Sequence, residues 1–439
     1  MLLLLTALLG CGSPCDSPYA GAAPEQLTSG GLAMTRTVLD AGICGPAFAT
    51  TGDLAGDGRA DLLVSWFGHQ DGPSVPNGGL DRYDLSGGLD APEKTSILAA
   101  DDGVKWPNAP HLGDIDADGD DDILVGLGFL TCLISPYTAP CGGLIGFENT
   151  DGRFERFDVV APGDPLFFHS GLLADLDDDG VEDIVTVGES IATPFGHGDR
   201  AETRWYRGRG DGRFEAQARV IGEGLGSLPV LHDIDGDGDI DLAGAEFFRA
   251  DAATFAWFEQ VSPPDAQAPA GVWARHVIAD AYGPAIQLSA APDAAAPGGV
   301  RFFGTNHVNN APDEDEPMQP VVVMLTPGDD PTDPWTVEVI ADDFQVEEAG
   351  AGIGAPGIFG HGDIDGDGDL DLLLSGDGDA GVYWLEQVEP GRFDQHVLEP
   401  ELTQAGAMII EDLDGDGASE LVVSGYDDNV VFVYDVEAP

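Results

Sequence analysis

Short apolar runs, separated by acidic and glycine-rich punctuation, recur along this chain in a fixed order of four. One run precedes each acidic segment, as in Ala407-Met408-Ile409-Ile410, and a second follows it, as in Leu421-Val422-Val423-Ser424. A third is often aromatic, as in Arg204-Trp205-Tyr206-Arg207 and Val382-Tyr383-Trp384-Leu385. A fourth follows a Gly-Arg-Phe type of turn, as in Arg392-Phe393-Asp394-Gln395-His396-Val397-Leu398. Four short strands in a unit of roughly 40–50 residues predict the blade of a β-propeller. With 62 Gly, 31 Pro and abundant Asp, the chain is built for turns and has little room for long helices.

The acidic segments are copies of one another. Asp114-Ile-Asp-Ala-Asp-Gly-Asp-Asp-Asp122 returns as Asp175 to Asp183, Asp233 to Asp241 and Asp363 to Asp371, each running into an apolar strand. Two variants, Asp53 to Asp61 and Asp412 to Glu420, complete the set. First aspartates are 61 residues apart (53 to 114), then 61, 58, 130 and 49. The 130-residue interval holds two repeats. The copy that has lost its aspartates falls near Ala290–Gly304, where an apolar run follows Gly299. Six loops and one degenerate copy make seven repeats.

These loops and their flanking strands resemble FG-GAP or VCBS repeats, the family that builds the propeller of integrin α subunits and of many bacterial surface proteins. The resemblance covers roughly residues 31–439 and implies an all-β, seven-bladed β-propeller with calcium-binding loops. The final repeat stops at Val430-Val-Phe-Val-Tyr-Asp, a third strand without a fourth. Met34–Asp40 reads as an orphan fourth strand at the other end. Pairing the two closes the ring and removes an open sheet edge.

Positions 1, 3, 5 and 9 of the loops present hard oxygen ligands. They are Asp114, Asp116, Asp118 and Asp122; Asp175, Asp177, Asp179 and Asp183; Asp233, Asp235, Asp237 and Asp241; and Asp363, Asp365, Asp367 and Asp371. The variants offer Asp412, Asp414, Asp416 and Glu420, and Asp53, Asp57 and Asp61, the last set with Ala55 in place of a ligand. Glycine at position 6 permits the sharp turn, and this donor set suits Ca2+. No Cys or His lies within a loop, so zinc and copper are disfavoured. The spacing begins like an EF-hand. It closes at position 9 and enters a strand, so flanking helices are not expected.

Charge and the N-terminus add context. The 80 acidic residues against 17 Lys plus Arg give a formal charge of −63, which excludes general nucleic-acid binding and basic-patch docking on lipid. Residues 1–10 read as a signal peptide whose apolar run, Leu2–Leu9, is too short to span a bilayer. Leu8-Leu9-Gly10-Cys11 resembles a bacterial lipobox, which implies lipidation of Cys11 and export to the cell envelope, outer membrane or cell surface. No Lys or Arg precedes the apolar run, a departure from that pattern. The membrane is then met only through the anchor. Residues 11–30 read as a flexible tether and 31–439 as the propeller. Cys132 and Cys141 flank a loop and are expected to pair; Cys15 and Cys44 are a second candidate pair.

In the resembling family, partners engage the face opposite the acidic loops. Here the connections of that face carry Trp66, His69, Trp106, His111, His169, His197, Arg249 and His307, a set that fits a glycan or peptide ligand. No nucleophile elbow, zinc-protease motif or phosphate loop is present. The expectation is therefore a non-enzymatic binding or adhesion module for glycan or protein, with a polysaccharide lyase or hydrolase as the alternative.

Overall fold

The computed structural model describes residues 15–68, 75–129, 141–190, 200–226, 228–247, 252–293, 296, 299–308, 318–346, 354–402 and 404–437. Among these residues the strands form seven antiparallel sheets, and the chain is a seven-bladed β-propeller. Blade one comprises Pro46–Gly52, Asp61–Trp66, Gly79–Asp84 and Glu93–Leu98. Blade two comprises Pro107–Gly113, Asp122–Leu127, Gly142–Thr150 and Arg153–Asp164. The first strand of blade three is split into Phe167–Phe168 and Leu172–Ala174. Asp183–Ser190, Arg200–Tyr206 and Arg219–Glu223 follow. Blade four holds Val230–His232, Asp241–Ala245, Phe255–Ser262 and Val272–Ala279. Blade five, the degenerate repeat, holds Ala285–Pro292, Val300–Asn306, Val322–Thr326 and Thr336–Ala341. Blade six holds Phe359–Gly362, Asp371–Ser375, Val382–Glu389 and Arg392–Glu399.

Blade seven closes the ring. Ala405–Glu411, Glu420–Gly425 and Val430–Val436 are joined by the N-terminal strand Leu32–Asp40, with Met34 opposite Val436 and Thr37 opposite Val433. A fifth strand, Glu25–Ser29, then pairs with Leu32–Arg36. The flexible tether expected over 11–30 is corrected here for its C-terminal part. Ser29 accepts a hydrogen bond from the Trp384 indole at 3.0 Å and donates to the Val397 carbonyl at 2.7 Å, which fastens this strand to blade six. A disulfide joins Cys15 to Cys44. Cys141 is disulfide-bonded as well, while Cys132 and Cys11 lie outside the described residues.

Second strands such as Leu62-Leu63-Val64 and Leu372-Leu373-Leu374 are wholly buried, because neighbouring blades cover both faces. This explains why they read as continuous apolar runs; outer strands such as Glu93–Leu98 are mostly exposed. The core is a series of clusters between successive blades. Leu63, Ile123 and Val125 join blades one and two; Val185, Trp205, Ala256 and Phe258 join three and four; Leu62, Val64, Val422 and Val433 join seven and one. Position 2 of each acidic loop belongs to this core: Leu54, Leu176, Ile364 and Leu413 each pack into such an inter-blade cluster.

Candidate metal loops and the opposite face

Six acidic loops sit between first and second strands at one end of the blades. Each is folded around its first aspartate. Asp233 accepts N–H bonds from Gly236 at 2.8 Å and Gly238 at 3.1 Å; Asp363 and Asp412 do the same with their own glycines. Position 4 as well as position 6 takes a positive φ: 79° at Gly236 and 101° at Gly238. Glycine stands at position 4 in four of the six loops, a signal the sequence reading passed over, while Ala117 and Asp178 adopt the left-handed conformation without it.

The position-nine carboxylate is the first residue of the second strand and is almost fully buried. One oxygen of Asp241 accepts the Ile234 N–H at 2.9 Å and the other the Gln260 N–H at 2.8 Å. Asp122, Asp183 and Asp371 are held the same way. Burial pushes these groups up, to about 6 for Asp122 and about 7 for Asp183, Asp241, Asp371 and Glu420; the neighbouring loop carboxylates push in the same direction.

In five loops, positions 1, 3 and 9 bring one oxygen each within 4.8 Å of one another: Asp114/Asp116/Asp122, Asp175/Asp177/Asp183, Asp233/Asp235/Asp241, Asp363/Asp365/Asp371 and Asp412/Asp414/Glu420. That span is twice a calcium–oxygen bond of about 2.4 Å, so one hard cation fits among the three. Position 5 (Asp118, Asp179, Asp237, Asp367, Asp416) is not part of these triplets. The loop of Asp53, Asp57 and Asp61 has the same backbone wrap, but Ala55 leaves it without a triplet, and an arginine, Arg82, meets Asp61 at 3.0 Å. Blade five keeps only Asp293, whose carboxylate is met by Arg301 Nε at 2.6 Å.

At the opposite face, the ends of the seven second strands converge. Blades seven, one and two contribute a chain of rings: Tyr426 lies edge-on 6.0 Å from Phe67, Phe67 edge-on 4.6 Å from Trp106, and Trp106, tilted, 5.4 Å from Phe129. Phe129 then meets His169 at 5.8 Å. Blades three to six contribute Glu189, Glu246, His307 and Asp377 at the same strand ends. His169 Nδ1 lies 2.9 Å from Glu189 Oε2, both buried, and the second Glu189 oxygen has no hydrogen-bond partner among the described residues. Glu246 is wholly buried beside Arg275 at 2.5 Å. His307 Nδ1 contacts the Pro356 carbonyl at 2.9 Å, and its Nε2 is 3.4 Å from Asp377, whose carboxyl burial pushes up.

The eight residues expected to bind ligand are thus distributed unevenly. His169 and His307 lie at this face. Trp66 is half-buried at the end of its strand. Trp106 is corrected: it is 2% exposed and is part of an apolar cluster with Phe67 and Val75. His111 is corrected too: it lies within the first strand of blade two, opposite Leu124, and not in a connection between strands. His69, His197 and Arg249 lie outside the described residues. Glu189, Glu246 and Asp377 were missed, because an acid at the end of an apolar strand reads as the start of a solvated turn.

Residues 363–423 match the model of the FG-GAP-like repeat, which bears out the repeat resemblance over blades six and seven. No curated protein sequence matches the chain. Several solved structures are similar to it in shape. A rhamnogalacturonan lyase of Bacillus licheniformis is 14% identical with a TM-score of 0.45, covering 94% of this chain and 75% of that one. An α-L-arabinanase of Penicillium chrysogenum bound to arabinobiose is 10% identical with a TM-score of 0.48, covering 94% and 99%. An α-L-arabinofuranosidase of Fusarium graminearum bound to arabinobiose is 9% identical with a TM-score of 0.47, covering 90% and 93%. The expectation of a non-enzymatic chain finds no support in these three structures, whose own names are those of a lyase, an arabinanase and an arabinofuranosidase. A propeller site draws single side chains from separate blades, so the lack of a local motif excludes nothing.

Proposed function

We propose that the chain is an exported, calcium-stabilised propeller enzyme that cleaves a polysaccharide at the face opposite its acidic loops. The observation that carries this reading is the His169–Glu189 pair, buried beside Phe129 and Phe167 where the second strands converge. A carboxylate hydrogen-bonded to one imidazole nitrogen fixes the tautomer and leaves the other nitrogen to take or give a proton. Glu189 is then a positioning residue and His169 the general acid or base. Tyr426 and Phe129, both partly exposed, supply ring faces or edges for sugar C–H groups.

Calcium in the acidic loops would be structural. Positions 1, 3 and 9 would hold the ion and neutralise carboxylates that otherwise repel one another. Export is supported by the Cys15–Cys44 disulfide, which suits an oxidising compartment. We place the lipid anchor at Cys11, on its lipobox-like sequence, and the protein at the cell envelope.

The test is a panel of acidic and neutral polysaccharides incubated with the calcium-loaded full chain, read by new reducing ends and by absorbance of unsaturated products. His169→Ala should abolish cleavage. Glu189→Gln should lower kcat more than it raises KM and should shift the pH profile. Cleavage undiminished in His169→Ala would refute the assignment.

A further inference from the structure

The third blade carries an intact acidic triplet, yet its surroundings differ from those of the other four. At the start of the second strand, within the ladder in blade seven and one step before it in the others, the position-nine carboxylate faces a third-strand residue. That residue is Glu148 in blade two, Glu259 in blade four, Glu386 in blade six and Asp435 in blade seven. In blade three it is Arg207. Its Nε lies 2.5 Å from Asp177, and a terminal nitrogen of the same guanidinium contacts Asp179. Positions 3 and 5 of this loop are therefore held by a side-chain cation. In the other four loops the position-three carboxylate is contacted by the backbone N–H of position five, at 3.0–3.2 Å.

Two further blades bring an arginine to an acid of their loops, though from other positions. Blade one, which lacks a position-three ligand, brings Arg82 to Asp61. Blade five, which lacks the motif, brings Arg301 to Asp293. Wherever the acidic pattern departs from its four-blade form, an arginine reaches the loop.

We propose that Arg207 replaces the metal ion of blade three. Its guanidinium joins Asp177 Oδ2 to Asp179 and sets a positive charge beside the triplet, which repels a cation from the Asp177 Oδ1 atom that is buried without a hydrogen-bond partner among the described residues. Of the five triplets, only those of blades two, four, six and seven then take calcium, giving four ions per chain. This inference rests on the calcium reading above. It concerns one loop, so the two can fail separately.

Calorimetric titration of the calcium-free full chain with calcium decides it. The parent should bind four ions. Arg207→Glu, which gives blade three the acid of the other four, should bind five. Asp177→Asn should leave the count at four, whereas Asp235→Asn in blade four should lower it to three; this arm stands even if Arg207→Glu does not fold. Five ions in the parent with one lost in Asp177→Asn, or an Arg207→Glu protein still at four, would overturn the proposal while leaving the calcium reading intact. A parent that binds no ion overturns the calcium reading, and the role of Arg207 falls with it.

Discussion

Gly406 in the first strand of blade seven stands directly against Ala47 in the first strand of blade one. A Cβ on Gly406 would lie 1.9 Å from the Ala47 carbonyl oxygen and 2.7 Å from the Ser424 hydroxyl. The backbone approach at the closing seam of the ring therefore admits only glycine. Gly406→Ala should destabilise the protein by about 1–3 kcal/mol, the range for overpacking a tight site. A melting temperature equal to the parent's would show that the seam relaxes freely.

The other flank of blade seven, against blade six, has an electrostatic clasp. Arg36, in the N-terminal strand that completes blade seven, donates to Glu399 of blade six at 2.7 Å, and Tyr434 donates to the same oxygen at 2.8 Å. The guanidinium also lies over the Phe432 ring at 4.9 Å. Arg36→Ala leaves a largely buried carboxylate without its cation and should cost about 2 kcal/mol or more. Arg36→Ala combined with Glu399→Gln should recover part of that loss. A double variant no more stable than the single one would place the effect in lost packing.

His111 gives stability a pH dependence of defined sign. Burial pulls its imidazole below the ordinary value of 6.5, so the unfolded chain binds a proton that the folded chain refuses. Stability from this group is complete above the unfolded value and declines as pH falls through it, with a limiting slope of about 1.4 kcal/mol per pH unit. His111→Gln should flatten the decline in denaturant midpoint between neutral and mildly acidic pH. Parallel curves for the two proteins would remove His111 as its source.

Blade number, ring closure and the degenerate repeat were legible because each depends on chain order. The spacing of first aspartates counts blades, the orphan strand at Met34–Asp40 has one possible partner, and Val300 follows a loop left with the single acid Asp293. The opposite face was far less legible. Phe67, Phe129, Glu189, Glu246, His307, Asp377 and Tyr426 each stand alone in sequence, one per blade, and only the ring brings them together. Trp106 sits in a Lys-Trp-Pro connection that reads as exposed, but its indole lies under Phe67 and Phe129. The strand holding His111 begins at Pro107 and carries a register shift before Pro110, which hides it from a strand pattern. The arginines on Asp61, Asp177 and Asp293 come from third strands or from beyond the loop, so motif spacing says nothing of them.

Removal of metal ties these features together. Ions bound only by the folded loops stabilise by mass action, about 2.7 kcal/mol for each site at a hundredfold excess over Kd. Chelation should therefore lower the melting temperature, and added calcium should restore it. Asp235→Ala deletes a triplet oxygen in blade four and should lower the bound calcium by one ion. Asp293→Ala removes the same charge from blade five, where Arg301 already meets that carboxylate, and should leave the calcium count unchanged. It should still cost stability, because Arg301 is largely buried and loses its ion-pair partner. The two substitutions thus separate: Asp235→Ala should lose one calcium and the stability that ion confers, whereas Asp293→Ala should keep every calcium and lose stability that added calcium does not restore. Equal calcium stoichiometries for the two variants in calorimetric titration would refute the division of the ring into metal-bearing and arginine-bearing loops.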